Sequence, residues 1–136
     1  MPFEVFSKRA AGKLRQPTIT VQKRGTLATN ASAAILIAGG TFPTEDVPVE
    51  LLYDKEQNVI GIRRATSEHP NVYMMRKQKA SDSFLIAGKA FTQYYGIETG
   101  EARRYIAKDF GDGILGAELN AEFSTVSRDK DEEEES

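Results

Sequence analysis

The residues best suited to act on another molecule in this chain are clustered lysines and arginines. Lys23 and Arg24 are adjacent in the first half of the sequence, and Arg76, Lys77 and Lys79 lie close together in the second half. Clustered cations bind phosphate groups, and such contacts supply affinity and positioning. The alternative is an ordinary charged surface that keeps the protein in solution. We predict that these five residues contact a polyanion.

A further group of cations precedes them near the N-terminus. Residues 1–24 contain six lysines and arginines and one acidic residue, Glu4. Such an excess of positive charge is typical of a polyanion-binding segment. Because its apolar residues are sparse and Pro17 ends it, residues 1–17 are predicted to form a flexible basic arm that orders on binding. An ordinary charged surface is again the alternative. The cations of this arm are Lys8, Arg9, Lys13 and Arg15.

The C-terminal segment carries the opposite charge. Residues 129–135 hold six of the twenty acidic residues, and the whole chain has a formal charge of -2. Runs of like charge are typical of disordered segments. We predict that residues 121–136 form a disordered acidic tail, that the rest of the chain is basic, and that the tail competes for this basic surface.

Residues that could catalyse a reaction or bind a metal lack the partners that such chemistry requires. The chain has no cysteine and a single histidine, His69, so it cannot form a thiolate zinc site or a histidine-based triad. Two carboxylate pairs, Asp109 with Asp112 and Glu98 with Glu101, lie in segments typical of turns and caps. We therefore predict a protein that is not an enzyme and uses no cofactor and no metal.

Two other motifs have structural explanations. Residues 111–116 fit the pattern G-x-G-x-x-G, but a dinucleotide-binding loop requires a helix after the glycines, and here a strand is predicted. We interpret the motif as a turn. Phe91, Tyr94 and Tyr95 could stack on nucleic-acid bases, but their helical spacing favours positions in the core.

Composition also predicts the compartment. Absence of cysteine is typical of a reducing environment, and the N-terminal segment lacks the apolar stretch of a signal peptide. No apolar run approaches the roughly 20 residues that a membrane span requires. The predicted location is the cytoplasm, or the nucleoid if the protein binds DNA.

The elements that position these residues are predicted to occur twice, offset by about 54 residues. Residues 18–65 form the first unit, residues 66–71 a linker, and residues 72–120 the second unit. Each unit is predicted to contain a strand, a short helix and a β-hairpin. A unit of this size buries too little apolar surface to be stable alone, so the two are expected to share one core. The predicted hairpin strands are 49–53 with 59–63, and 102–108 with 114–119.

Local signals define the first strand and both helices. Ile19, Val21 and Leu27 follow the alternation of a half-buried strand in which Thr20 faces outward. Thr29 or Asn30 is expected to cap a helix over residues 31–38, which Gly39 ends. Residues 88–95 are predicted to form the second helix, and Gly96 again follows its end.

The basic strand, short helix, glycine and closing strands resemble AbrB-like (SpoVT-AbrB) domains, and both units resemble them independently. The matching segments are 19–27, 49–54 and 60–63 in the first unit, and 75–78, 95–101 and 112–114 in the second. The resemblance implies a mainly β fold with short helices (α+β), formed as a tandem AbrB-like swapped-hairpin β-barrel. The tandem arrangement parallels that of MraZ regulators, although their Asp-x-x-x-Arg signature has no counterpart here.

This resemblance implies a DNA-binding transcriptional regulator that contacts double-stranded DNA and forms a homodimer. The five clustered cations match the positions near the first strand and its turn that bind DNA in the family. The alternative function is a protein-interaction or assembly module, such as one encoded by a phage, that binds a protein partner with the same barrel. A small-molecule or enzymatic function is a third possibility, since a fold does not dictate a function.

Overall fold

The computed structural model describes residues 16–125 apart from residues 67, 69 and 80. Within this part of the chain, nine strands and two α-helices follow one another. In chain order they are β1 (Thr18–Val21), β2 (Leu27–Thr29), α1 (Ala31–Ala38), β3 (Val47–Asp54), β4 (Val59–Arg64), β5 (Tyr73–Lys77), β6 (Phe84–Ile86), α2 (Lys89–Tyr94), β7 (Arg103–Asp109), β8 (Ile114–Glu118) and β9 (Phe123–Thr125).

Eight of these strands form a closed antiparallel barrel. Their order is β1-β2-β6-β5-β3-β4-β8-β7, and β7 pairs with β1 to close the ring. The ninth strand, β9, pairs with the first residues of β7. The prediction of a mainly β fold with short helices is confirmed.

The same order of elements occurs twice around the barrel. Two strands, a helix and two further strands run from β1 to β4, and the order repeats from β5 to β8. The first strand of each set pairs with the third strand of the other set, as β1 with β7 and β5 with β3. Both sets therefore contribute to one apolar core.

The first predicted strand is divided in two by a tight turn. Ile19, Val21 and Leu27 are buried, as their alternation predicts, but Leu27 begins β2. Thr20 is only 5% exposed, so its predicted outward exposure is wrong. The physical reason is that β1 is a central strand, in which Ala28 and an arginine of β7 lie in register on either side of Thr20.

Helix α1 has the predicted bounds because both of its ends are fixed locally. The side chain of Asn30 accepts a hydrogen bond from the backbone N–H of Ala33 at 3.0 Å. At the other end Gly39 adopts a φ of 104°, which favours glycine. The helix buries most of its small side chains against the barrel.

Helix α2 is one turn and a half long and is buried on one side. Phe91 is buried and Tyr95 is half-buried, which agrees with their predicted place in the core. Tyr94 is 80% exposed, so its predicted place in the core is wrong. A six-residue helix packed on one side leaves its remaining positions in solvent.

The predicted turns are confirmed in the loops that hold the carboxylate pairs. Asp109 accepts a hydrogen bond from the N–H of Gly111 at 2.8 Å, and Glu98 accepts one from the N–H of Gly100 at 2.6 Å. Gly111 and Gly113 both have positive φ and lie between β7 and β8. Strand β8 follows these glycines, as the turn interpretation requires.

Candidate nucleic-acid interface

The first pair of predicted cations lies in a tight turn between β1 and β2. Lys23–Gly25 form a 3₁₀ turn in which the N–H of Gly25 donates to the carbonyl of Gln22 at 3.1 Å. The N–H of Gln22 donates to the carbonyl of Thr26 at 2.8 Å and joins the two ends of the loop. Arg24 and Gly25 have positive φ values of 71° and 89°. Two consecutive residues with positive φ reverse the direction of the chain within a few positions. The side chains of Lys23 and Arg24 are exposed at the tip of this turn.

The turn packs closely against the beginning of α2. A Cβ atom at Gly25 would lie 2.4 Å from Oγ1 of Thr92 and 2.8 Å from Cα of Lys89, which is closer than real Cβ atoms approach. Only glycine allows this contact. As a result, Lys89 lies beside the turn that carries Lys23 and Arg24.

Lys23, Arg24 and Lys89 together form what we call the first basic cluster. All three side chains are exposed, and none makes an ion pair within the part of the chain that the structure describes. Sequence reasoning missed Lys89 because it lies 65 residues from Arg24, and no pattern in the sequence connects the two. The tertiary packing of Gly25 is what brings them together.

Arg24 occupies a backbone conformation that costs free energy. Besides glycine, the described residues with positive φ are Arg24, Asn58 and Asp112. Asn and Asp tolerate this region, whereas other side chains lose about 1–2 kcal/mol there. Residues in costly conformations cluster at functional sites. An exposed arginine kept where glycine would be more stable therefore points to a role for its charge.

The second group of predicted cations follows β5. Arg76 and Lys77 end the strand, and Lys79 lies in the turn to β6; we call these residues the second basic segment. Arg76 and Lys79 are exposed. Lys77 is half-buried: its Nζ lies 5.8 Å from the ring centroid of Phe42, and its N–H donates to Asp46 Oδ1 at 3.2 Å.

The first basic cluster and Lys79 lie beyond opposite ends of the short β2–β6 pairing, whereas Arg76 is in register with Leu85 at its middle. Leu27 pairs with Ile86 at the end next to the first cluster, and Thr29 pairs with Phe84 at the end next to the second segment. With about 3.4 Å per strand residue, the tips of the two turns are roughly 20 Å apart. The strands between them form one continuous surface.

The acidic residues of the strands lie on one side of the barrel. Strands β1, β2, β6 and β5, which we call the first wall, contain no Asp or Glu. Strands β3, β4, β8 and β7, the second wall, contain four. Two cations of the second wall are paired with acids, Arg63 with Glu50 at 2.5 Å and Lys108 with Glu118 at 2.6 Å. The exposed cations at the ends of the first wall have no such partner in the described residues.

The described part of the chain is close to neutral. It holds twelve Lys and Arg residues against thirteen Asp and Glu, so the prediction that the chain outside the acidic tail is basic does not apply to the barrel. The positive excess comes from the N-terminal arm. Lys8, Arg9, Lys13 and Arg15 lie outside the described residues, as do His69 and residues 126–136.

The described residues offer no metal site and no membrane-spanning helix. No group of three or more His, Cys, Asp or Glu side chains within the described ranges is placed to hold a metal ion. None of the described helices is both long enough and apolar enough to span a bilayer.

Comparisons with known proteins add no further constraint. No protein-family model, no curated protein and no solved structure matches this chain.

Proposed function

We propose that this protein is a DNA-binding transcriptional regulator of the AbrB-like type that holds duplex DNA against its first wall. The observation that carries the proposal is the absence of acidic residues from the strands of the first wall, which is flanked by exposed cations that form no ion pair within the described residues. Exposed cations without ion-pair partners attract phosphates, and strands without carboxylates add no repulsion between them.

The geometry suits contacts to the DNA backbone. A separation of roughly 20 Å between the turn tips corresponds to about six base-pair steps of 3.4 Å. The first basic cluster would bind phosphates at one end of this stretch, Lys79 would bind at the other, and Arg76 would bind between them. These contacts fix position and give affinity, whereas the cations of the N-terminal arm would extend the surface.

The exchange of strand partners supports the AbrB-like part of the proposal. In a swapped-hairpin barrel two copies of one unit interleave, and here β1 pairs with β7 while β5 pairs with β3. We further propose that the protein acts as a homodimer, as the resemblance implies. A dimer would present two first walls to one duplex.

A salt series tests DNA binding directly. The full chain should bind a random duplex with an affinity that falls steeply as the salt concentration rises, because each phosphate contact releases counterions. Each contact adds about 0.9 to the steepness of the plot of log affinity against log salt concentration, which we call the salt slope. Removing two cations at either end of the first wall should reduce the slope by up to about 2 units. A control that removes two cations elsewhere should leave it unchanged. The variants are Lys23→Ala/Arg24→Ala, Arg76→Ala/Lys79→Ala and, as control, Lys55→Ala/Lys108→Ala.

Two results would contradict the proposal. If the control variant lost as much of the salt slope, binding would depend on the total charge of the protein and not on the cations of the first wall. Absence of binding to the full chain at low salt would exclude DNA as the partner.

A protein-interaction module is the second candidate, and exposed apolar side chains favour it. Tyr94 is 80% exposed and Leu36 is 54% exposed, each on a helix rather than on the first wall. Large apolar side chains in solvent are common at protein interfaces. Under this alternative, Tyr94→Ala would weaken capture of the partner, and the cations of the first wall would have little effect.

A further inference from the structure

Strand β9 corrects the predicted boundary of the acidic tail. Residues 121–136 were expected to be disordered, but Phe123–Thr125 pair with β7. The ring of Phe123 lies 5.6 Å from that of Tyr105, and the guanidinium carbon of Arg103 lies 4.5 Å from the Phe123 centroid. The tail therefore leaves the barrel from a fixed position.

That position lies beside the first strand. Thr125 pairs with Arg103 on one side of β7, and Val21 pairs with Arg103 on the other. Two strand spacings of about 4.8 Å place Thr125 roughly 10 Å from Val21. Both pairings are antiparallel, so β9 and β1 run in the same direction. Strand β9 thus runs in the direction that leads from Val21 to the first basic cluster, and it ends at Thr125.

The acidic residues begin within reach of this cluster. Three residues, 126–128, separate Thr125 from Asp129, and three extended residues span up to about 10 Å. Residues 129–135 then carry six carboxylates and one lysine. Their distance along the chain is short, so their effective concentration near the cluster is high.

Among the described residues, no acidic side chain forms an ion pair with Lys23, Arg24 or Lys89. The pairing of β1 with β7 ends at Val21 and Arg103, and Glu101 precedes Arg103 by two residues. Glu101 lies 3.5 Å from Nε of Arg103, so its charge is already matched. The Tyr105 side chain, more than Glu101, raises the pKa of Arg103 above its ordinary value, and Arg103 stays cationic.

The second basic segment is a poorer target for the tail. It lies at the far end of the first wall, and an entropic penalty grows with the length of chain needed to reach it. Asp46 contacts the backbone of Lys77, and Asp82 lies in the following turn. Both acids reduce the positive charge there.

We propose that residues 129–135 of the same chain dock on the first basic cluster and shield Lys23, Arg24 and Lys89. Strand β9 directs the tail to this cluster rather than to the second segment. Any other polyanion must displace the tail before it can bind there. This contact is a property of the free protein and does not depend on DNA being the ligand.

A spin label at the C-terminus tests the contact in the free protein. The chain has no cysteine, so Ser136→Cys provides a single site for a nitroxide. In NMR spectra, the nitroxide should broaden the amide signals of residues 23–26 and Lys89 several-fold more than those of Gln78 and Lys79. Because the Debye length shrinks as salt rises, the difference should fade between about 0.05 and 0.5 M salt.

Two variants make the result specific. Replacing the six carboxylates of residues 129–135 by their amides should abolish the preferential broadening, and so should Lys23→Ala/Arg24→Ala. Broadening that is equal at both basic groups, or that survives neutralisation of the tail, would overturn the proposal. Failure of the protein to bind DNA would leave this outcome unaffected, so the two proposals fail separately.

Discussion

Gly61 and Gly116 lie directly opposite each other where β4 pairs with β8, in the middle of the second wall. Neither has room for a side chain. A Cβ atom at Gly61 would lie 2.8 Å from Cγ2 of Ile114, and one at Gly116 would lie 2.6 Å from the ring of Phe110. Ile114 of β8 covers Gly61 of β4, whereas Phe110 covers Gly116 within the β7–β8 hairpin.

Alanine at either glycine should therefore destabilise the barrel. We expect Gly61→Ala and Gly116→Ala to lower the free energy of unfolding by about 1–3 kcal/mol, because overpacking forces neighbouring groups to shift. Urea denaturation measures the change. Gly100→Ala is the matched control, since the nearest atom is a carboxylate oxygen of the flexible Glu98 side chain. An equal loss in that control would contradict the packing argument.

Asn30 joins the first strand to the first helix. Its Oδ1 atom accepts hydrogen bonds from the N–H groups of Ala33 and Thr18, each at 3.0 Å, and its Nδ2 donates to the carbonyl of Gln16 at 2.9 Å. Asn30→Ala should cost about 1–2 kcal/mol of unfolding free energy through loss of the cap. Asn30→Asp keeps both acceptor contacts and loses only the bond to Gln16, so it should cost less. Equal costs in urea denaturation would show that the cap is not the important contact.

Arg24 offers a way to separate binding from stability. Arg24→Gly removes the cost of a positive φ, so it should raise the free energy of unfolding by about 0.5–1 kcal/mol. If DNA is the ligand, the same change should lower the slope of log affinity against log salt by about 0.9. Thermal denaturation and the binding series provide the two readouts.

A charge-preserving variant at the same position serves as the control. Arg24→Lys keeps both the cation and the backbone cost, so stability and the salt slope should stay close to those of the natural chain. A loss of stability in Arg24→Gly would show that the turn depends on the arginine side chain and not only on its charge.

Lys89 should contribute to binding although it is distant in sequence from the other members of the first cluster. Lys89→Ala should reduce the salt slope by about 0.9 while keeping the fold, since alanine is a good helix former and the lysine side chain is exposed. Lys55→Ala, which removes a cation from the turn between β3 and β4, is the control. Equal effects would indicate that Lys89 acts only through net charge.

Several parts of the fold follow from local sequence signals. Helix α1 was predicted with its exact bounds because Asn30 and Gly39 fix its ends through contacts within a few residues. The turn before β8 was predicted for the same reason, since its glycines and aspartates favour positive φ. Such signals depend on neighbouring residues and not on the rest of the barrel.

The remaining features depend on contacts between distant segments. Strand β9 is three residues long and is stabilised by its pairing with β7, so its own sequence gives no distinct signal. Lys89 joins the first cluster only because Gly25 packs against α2. The absence of acidic residues from the first wall becomes visible only when the strand order is known, because β2 and β6 are neighbours in space and far apart in the chain.

The tail and the first basic cluster should be energetically coupled if both proposals hold. A chain that ends at Arg128 keeps β9 and loses the acidic residues, so it should bind random duplex DNA more tightly than the full chain at low salt. In the Lys23→Ala/Arg24→Ala background the same truncation should have little effect, because the docking site of the tail is largely gone. Such a double-mutant cycle isolates the interaction between the two groups.

Truncation that strengthens binding equally in both backgrounds would mean that the tail acts by general repulsion of DNA. Because that repulsion requires no contact between tail and turn, the non-additive part of the change is the quantity that distinguishes the two mechanisms.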